Sequence, residues 1–292
     1  MKVVLFCGGL GTRLREYSES IPKPLVNIGH RPILWHLMRY YAYYGHKEFI
    51  LCLGYRGDLI REYFLNYQEA LSNDFTLSEG GRHIELHGRD LEDWKITFVD
   101  TGLSSNIGQR LLRARKYLAD DEIFLANYAD ALSDLPFDHH LHKFLTGDDG
   151  FVGSFAAVIG NQSFHFVTTD DKNTVTRVSS LRDQHLWING GFFIFRSQIF
   201  DYLNEGEELV EEPFARLVAR RKLMAYPWEG FWHCMDTLKD KVALDRMEAE
   251  GTCQWKVWQE QTARSRRIET ARENEPLVSY PAQYGNSVVA IT

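Results

Sequence analysis

With 292 residues and 44% hydrophobic side chains, the chain carries enough apolar material for one large α/β domain or two small ones, and no apolar stretch approaches the length that spans a bilayer. Its formal charge of −7, with both signs mixed along the sequence, argues against nucleic acid as the main partner and suits an anionic substrate held by a few local cations. Four cysteines, at 7, 52, 234 and 253, match neither a zinc site nor a disulfide framework and read as buried thiols; the opening Met1-Lys2-Val3-Val4 leaves no room for a signal peptide, so a cytoplasmic location is expected.

The first predicted element is a strand over 2–7 that empties into Gly8-Gly9-Leu10-Gly11-Thr12-Arg13-Leu14. Glycine removes the Cβ that blocks close approach, so backbone N–H groups there can converge on one anion. A dinucleotide fingerprint would need a glycine where Leu14 stands and an acidic residue closing the second strand; a P-loop would need Gly-Lys-Ser/Thr where Thr12-Arg13 stands. What remains is a loop carrying one cation, Arg13, followed by a second, Lys23, between Pro22 and Pro24. That suits a polyphosphate whose charge is spread over several donors, against the plainer reading of a tight turn with a surface arginine.

Helices and strands then alternate: helix 32–44, strand 48–53, helix 57–71, strand 95–100, helix 108–118 and strand 122–126, with a hairpin excursion between 69 and 94. The alternation predicts right-handed crossovers and an α/β, Rossmann-like three-layer sandwich with a mostly parallel central sheet, in which ligands gather beyond the carboxyl ends of the strands. Both the glycine loop and the acidic turn after Asn127 fall there, so the two should face one cleft. From 151 the texture is strand-rich, over 151–159, 164–169, 175–178 and 188–195, and suggests a smaller sheet carrying the other half of the site. Helices over 209–221 and 237–250 follow, then a polar tail over 259–292 whose role the sequence leaves open.

Asp130 follows the apolar run Phe124 to Tyr128, and Asp236 follows Phe231 to Met235. Either alone is more often a turn or helix cap than a metal ligand. Two of them converging on a phosphate cradle would suit magnesium, which takes one or two carboxylates and completes its octahedron with phosphate oxygens and water. Asn189-Gly190-Gly191 opens an aromatic strand, either as a simple turn or as an amide and open backbone for sugar hydroxyls. His139-His140-Leu141-His142 begins a predicted surface helix and is not read as a metal site.

Taken in order, Gly8 to Leu14, Lys23-Pro24, Ile28 to His36, Gly54-Tyr55-Arg56-Gly57, Val99 to Gly102, Tyr128-Ala129-Asp130, Ile188 to Phe193, and Gly230-Phe231-Trp232 leading to Met235-Asp236-Thr237 resemble the signature of the sugar-1-phosphate nucleotidylyltransferases. Within that family the chain is most similar to the glucose-1-phosphate cytidylyltransferases, over 1–258. The resemblance implies magnesium-dependent transfer of a nucleotidyl group from a nucleoside triphosphate, CTP favoured, to a sugar 1-phosphate or related acceptor with release of pyrophosphate. It also implies a homo-oligomer with an inter-subunit element between 69 and 94. Nucleotide contacts are implied for Leu5, Gly8, Gly9, Gly11, Thr12, Arg13, Gly108, Arg110 and Tyr128, catalytic roles for Arg13 and Lys23, and metal ligation for Asp130 and Asp236. Asn189 and Gly190 would meet the sugar phosphate, dividing 1–258 into a nucleotide half, 1–150, and a sugar-phosphate half, 151–258.

Two family features are missing. The Glu-Lys-Pro whose lysine grips the sugar phosphate is replaced by Val178-Ser179-Ser180-Leu181-Arg182-Asp183, and the Arg-Phe-Gly or Arg-Tyr-Gly of the sugar pocket by Ser163-Phe164-His165. Arg182 and His165 are therefore the candidate replacements, in an enzyme whose acceptor differs from glucose 1-phosphate; an arginine fork engages phosphate differently from a lysine point charge. The alternative is a binding paralogue that holds a nucleotide or nucleotide sugar but turns over poorly.

Overall fold

The structure is a computed structural model that describes residues 1–9, 21–91, 93–147, 150–160, 165–180, 186–259 and 289–290. Its strands are β1 (Lys2–Phe6), the short pair β2 (Asn27–Ile28) and β3 (Arg31–Pro32), β4 (Glu48–Leu53), the hairpin β5 (Phe75–Ser78) and β6 (His83–Leu86), β7 (Lys95–Asp100), β8 (Ile123–Tyr128) and β9 (Ala131–Ser133). They continue with β10 (Gly153–Ile159), the hairpin β11 (His165–Thr169) and β12 (Val175–Ser180), β13 (Trp187–Asn189), β14 (Phe193–Arg196), β15 (Leu223–Trp228), β16 (Trp232–Cys234) and β17 (Val289–Ala290).

A fully buried apolar run such as Val3-Val4-Leu5 belongs to a parallel sheet covered on both faces, and β1 is that strand. Its alternate side chains enter different cores. Val3 and Leu5 pack with the helix Ile33–Tyr43 in one layer, while Val4 and Phe6 pack with the helix Ile107–Ala114 in the other. The result is a three-layer sandwich around one sheet of nine described strands in the order β17-β13-β10-β14-β8-β1-β4-β7, with β15 against β10. β8, β1, β4 and β7 run parallel, so the chain segments that follow β1 and β8 leave the sheet side by side.

Strands 48–53 and 95–100 match their predicted bounds, and the excursion between 69 and 94 contains the expected hairpin, β5 with β6. The predicted helix 57–71 stops at Leu65 and resumes as a short 3-10 turn over Glu69–Leu71. Tyr67 is captured in between: its hydroxyl donates to Asp90 at 2.7 Å and accepts from Arg31, which pulls the chain off the helical path.

The strands after 151 correct the expectation of a separate smaller sheet. β10, β13, β14 and β15 join the central sheet, and in this part of the chain the detached ladders are β11–β12 and β9–β16. The run expected as one strand over 188–195 is interrupted. Ala157 pairs with Asn189 and Ser154 with Ile194, so two extra residues lie between the halves, and Gly191 and Phe192 take them up at φ +77° and +52°. This is a β-bulge, placed where β8 ends beside it.

Candidate active site

One wall of the cleft begins at Gly8, which follows the central strand β1. Its carbonyl accepts hydrogen bonds from the Arg110 guanidinium at 2.8 Å and from the Tyr55 N–H at 3.3 Å. A Cβ on Gly8 would collide with that guanidinium, and one on Gly54 would lie 2.6 Å from the Gly8 carbonyl oxygen, so both glycines are demanded by close approach. Arg110 is only 2% exposed, and its N–H groups go to neutral acceptors: the carbonyls of Gly8, Leu53 and Gly102 and the Thr101 hydroxyl. It thereby binds the ends of three strand-exit segments together.

The helix that carries Arg110 is itself well started. Asn106 and Gln109 form a reciprocal capping box, and Gly108 packs so tightly on the Glu207 carbonyl that no side chain fits there. Arg110 thus supports Gly8 from behind, and Gly108 seats the helix on the segment at Glu207. Leu5 is likewise fully buried, so its side chain belongs to the core. Gly9 is open, since a Cβ placed on it would meet no described atom within 4 Å; Gly11, Thr12 and Arg13 lie outside the described residues.

Asp130 and Asp236 are 106 positions apart in sequence, and a short ladder brings them together. β9 and β16 pair antiparallel, Ala131 with Cys234, and the Met235 N–H donates to the Asp130 carbonyl at 2.9 Å. One aspartate therefore sits just before β9 and the other just after β16, at the same end of the ladder. The backbone around Asp236 is fixed by Asp240, whose carboxylate accepts from the N–H of Asp236 at 3.1 Å and of Thr237 at 2.7 Å. The Thr237 hydroxyl in turn accepts from the Asp240 N–H, a capping box that starts the helix Leu238–Ala249.

Lys23 completes this cluster. Pro24 opens a 3-10 turn over Lys23–Leu25, where proline's missing N–H costs nothing, and buries its own ring, which leaves the lysine projecting inward. The ammonium lies 2.6 Å from Asp130 Oδ2 and 2.6 Å from Asp236 Oδ1, with only 12% of the side chain exposed. Burial pulls the Lys23 pKa down, and the two carboxylates outweigh it through charge and hydrogen bonding, so it ends above the ordinary lysine value. Beside them the Cys234 thiol is pushed up by burial and by the Asp236 and Asp130 charges; it stays protonated and points at Asp236 Oδ2 from 3.5 Å.

The bulge forms the opposite wall. Asn189 Oδ1 accepts from the Gly191 N–H at 3.0 Å and its amide donates to the Tyr128 hydroxyl at 3.2 Å, which ties the two predicted residues together. Burial raises the Tyr128 phenol above its usual range, so it remains a neutral partner. Sequence reasoning missed two further supports of this wall: Asn127 Oδ1 accepts from Phe192 N–H at 2.9 Å, and the Trp232 indole N–H donates to the Gly190 carbonyl at 2.9 Å. Neither had a local signal, because the partners lie 65 and 42 residues apart in sequence. Arg182 lies outside the described residues; His165 is described only as the backbone start of β11, paired with Ser180. The histidines of 139–142 diverge, His139 and His142 outward and His140 into the core against Ser154 at 2.7 Å.

The donor set accommodates a magnesium ion. Asp130 and Asp236 are hard oxygen donors that converge on the Lys23 ammonium, so an ion held by the pair would take the place that the ammonium fills; among the described residues no group of three or more His, Cys, Asp and Glu side chains forms an all-protein cage. Magnesium is normally held by one or two carboxylates plus substrate phosphate.

A glycine loop at the end of a central parallel strand, with a paired-carboxylate ladder beside it, defines a nucleotide-transferring fold, and the chain belongs to the nucleotidyl transferase family, whose model matches residues 2–240. Its relatives narrow the class to sugar-1-phosphate nucleotidyltransferases. Over 262 residues it is 38% identical to the glucose-1-phosphate cytidylyltransferase of Salmonella typhi, covering 89% of this chain and 100% of that protein. Over 260 residues it is 39% identical to a Bacillus subtilis (strain 168) protein described as a probable glucose-1-phosphate cytidylyltransferase, covering 88% and 100%. Among solved structures, UDP-glucose pyrophosphorylase complexed with UDP-glucose shares the fold at a TM-score of 0.61 and 14% identity, over 86% of this chain and 98% of that one.

Proposed function

We propose that the chain catalyses magnesium-dependent transfer of a nucleotidyl group from CTP to a sugar 1-phosphate or a closely related phosphorylated acceptor, giving a nucleotide sugar and pyrophosphate. The observation that carries this reading is the convergence of Lys23, Asp130 and Asp236 at the carboxyl ends of β1 and β8. CTP and the sugar 1-phosphate follow from the cytidylyltransferase relatives.

An acceptor phosphate oxygen attacks the α-phosphorus and the bond to the leaving pyrophosphate breaks. That oxygen is ionised at neutral pH, so no general base and no covalent enzyme intermediate are required; the protein's work is positioning and charge neutralisation. Gly8, Gly9, Gly11, Thr12 and Arg13 cradle the triphosphate, with Arg110 bracing Gly8 from behind and Tyr128 between the two walls. Lys23 and Arg13 meet the charge that builds on pyrophosphate. Asp130 and Asp236 hold the magnesium ion, which when bound neutralises phosphate charge.

On the acceptor side Asn189 and Gly190 meet the sugar, while Arg182 and His165 replace the family's missing phosphate grip and pocket motif. In this reading 1–150 is the nucleotide half and 151–258 the acceptor half of one catalytic domain. In this reading the enzyme works in the cytoplasm as a homo-oligomer. No described helix is long and apolar enough to cross a membrane. The binding-paralogue alternative has no observation in its favour.

Four nucleoside triphosphates tested against a panel of sugar 1-phosphates and related phosphorylated acceptors, read by pyrophosphate release, decide the matter. CTP with at least one acceptor should give turnover. Triphosphate binding with no release for any acceptor would reinstate the paralogue.

A further inference from the structure

The bulge at Gly190 to Phe192 is a costly conformation held from outside its own strand. Phe192 is a bulky residue at φ +52° beside Gly191 at +77°, a region that side chains other than glycine rarely adopt, and such backbone persists only where the surroundings over-determine it. A Cβ on Gly190 would come 2.8 Å from Val158 and 3.1 Å from the Ala156 carbonyl, so the loop is pressed onto β10. Ala156 bonds it on both sides, accepting from Gly190 N–H at 2.8 Å and donating to the Gly191 carbonyl at 2.9 Å.

Two side chains from other segments then clamp it. Asn127, fully buried at the end of β8 three residues before Asp130, takes the Phe192 N–H. Trp232, the first residue of β16 and four residues before Asp236, gives its indole N–H to the Gly190 carbonyl. Both clamps therefore originate on the two segments that carry the convergent carboxylates, and those segments are themselves joined through the β9–β16 ladder, where Trp232 pairs with Ser133.

We propose that Trp232 is a positioning residue: through its indole N–H it sets the acceptor-side bulge in register with the Asp130–Asp236 ladder, with Asn127 as the second clamp. This rests on the reading of Asn189 and Gly190 as the acceptor wall. Transfer requires the acceptor oxygen and the α-phosphorus to meet within a narrow distance, and this hydrogen bond is a direct strut between the wall that would hold one and the ladder that would hold the other.

The test replaces Trp232 by β-(3-benzothienyl)alanine, which keeps the bicyclic ring and exchanges the N–H for sulfur, alongside W232F. Loss of one neutral hydrogen bond should raise the acceptor KM about three- to tenfold, while the CTP dissociation constant by calorimetry stays near wild type and the melting temperature of the benzothienyl variant falls by only about 2–5 °C. Amide hydrogen exchange over 188–195 should quicken in both variants, as it should in Asn127→Ala, with no change over β1 or β4.

Equal shifts in acceptor KM and CTP affinity, or unchanged exchange over 188–195, would overturn the inference and make Trp232 an ordinary packing residue. The exchange measurement needs no substrate. Faster exchange in the variants together with a wild type that releases no pyrophosphate supports the clamp and sinks the transfer function instead.

Discussion

On the nucleotide side, β8, β1 and β4 run parallel without interruption to their ends, and the loop that follows is braced by backbone and buried side-chain donors. On the acceptor side the strand from 187 to 196 breaks its register by two residues, and beyond it the hairpin β11–β12 stands largely exposed, with Val167, Val175 and Val178 each more than half open to solvent. The first wall is rigid because regular ladders fix it; the second is fixed by a few long-range hydrogen bonds. The two departures from the family motifs, at 163–165 and 178–183, both fall in sequence within the half proposed for the acceptor. Variation in acceptor can be accommodated there without disturbing the triphosphate site.

The largest effects should come from the ladder that joins the two walls. Asp130→Ala and Asp236→Ala should each lower magnesium-dependent pyrophosphate release by on the order of a thousandfold while circular dichroism stays native, because each removes half of a converging pair at the cleft surface. Near wild-type turnover in either variant removes that residue from the metal assignment.

Next in size is Lys23→Ala, with kcat reduced on the order of a hundredfold and CTP affinity by far less, since a cation that meets developing charge acts chiefly in the transition state. Steady-state rates beside calorimetry separate the two quantities. An equal loss in both would make Lys23 a plain binding residue.

Arg110→Met probes the nucleotide wall from behind. It strips one donor each from the carbonyls of Gly8 and Leu53, which keep the Tyr55 N–H and the Thr101 N–H and hydroxyl, and one from the Gly102 carbonyl; at about 0.5–1.5 kcal/mol per lost hydrogen bond the melting temperature should fall by about 4–10 °C, and the KM for CTP should rise while the acceptor KM holds. A rise in the acceptor KM alone would contradict the separation of the walls.

Smallest is a difference of slope. His36 is buried with its ring nitrogens on the Ile28 carbonyl and the Trp255 indole; burial lowers its pKa to about 4, only partly opposed by the Ile28 bond, with Lys256, Glu248 and Arg31 as the charged groups around it. The unfolded chain binds a proton there near pH 6.5 and the folded chain does not until about 4. Its contribution to stability is thus fully present above 6.5 and is lost as the pH falls towards 4. His36→Gln should flatten that part of the dependence of melting temperature on pH, and an unchanged slope would show that His36 titrates normally.

The parallel half of the fold was legible because buried parallel strands are continuous apolar runs separated by helix-period segments, and 48–53 and 95–100 could be bounded to the residue. The bulge was not. Asn189-Gly190-Gly191 signals a turn at the start of the run, but nothing in the side chains of Phe192 and Phe193 distinguishes an extra residue from a paired one; the partner strands decide it. Lys23, Asp130 and Asp236 could be singled out from motif and resemblance, but the β9–β16 ladder that joins them is too short to stand out as a pattern. Arg110 is the opposite case. The resemblance gives it a nucleotide contact, and only the tertiary structure shows that its guanidinium also bonds the carbonyls of Gly8 and Gly102.

The central claim is that Asp130 and Asp236 form a single metal position at the cleft between the walls. Manganese binding, followed by electron paramagnetic resonance in the presence of a non-hydrolysable CTP analogue, measures this without turnover. The account predicts one nucleotide-dependent manganese per chain in the wild type and loss of that ion in both Asp130→Ala and Asp236→Ala. Retention of it at wild-type affinity in either single variant would contradict the claim.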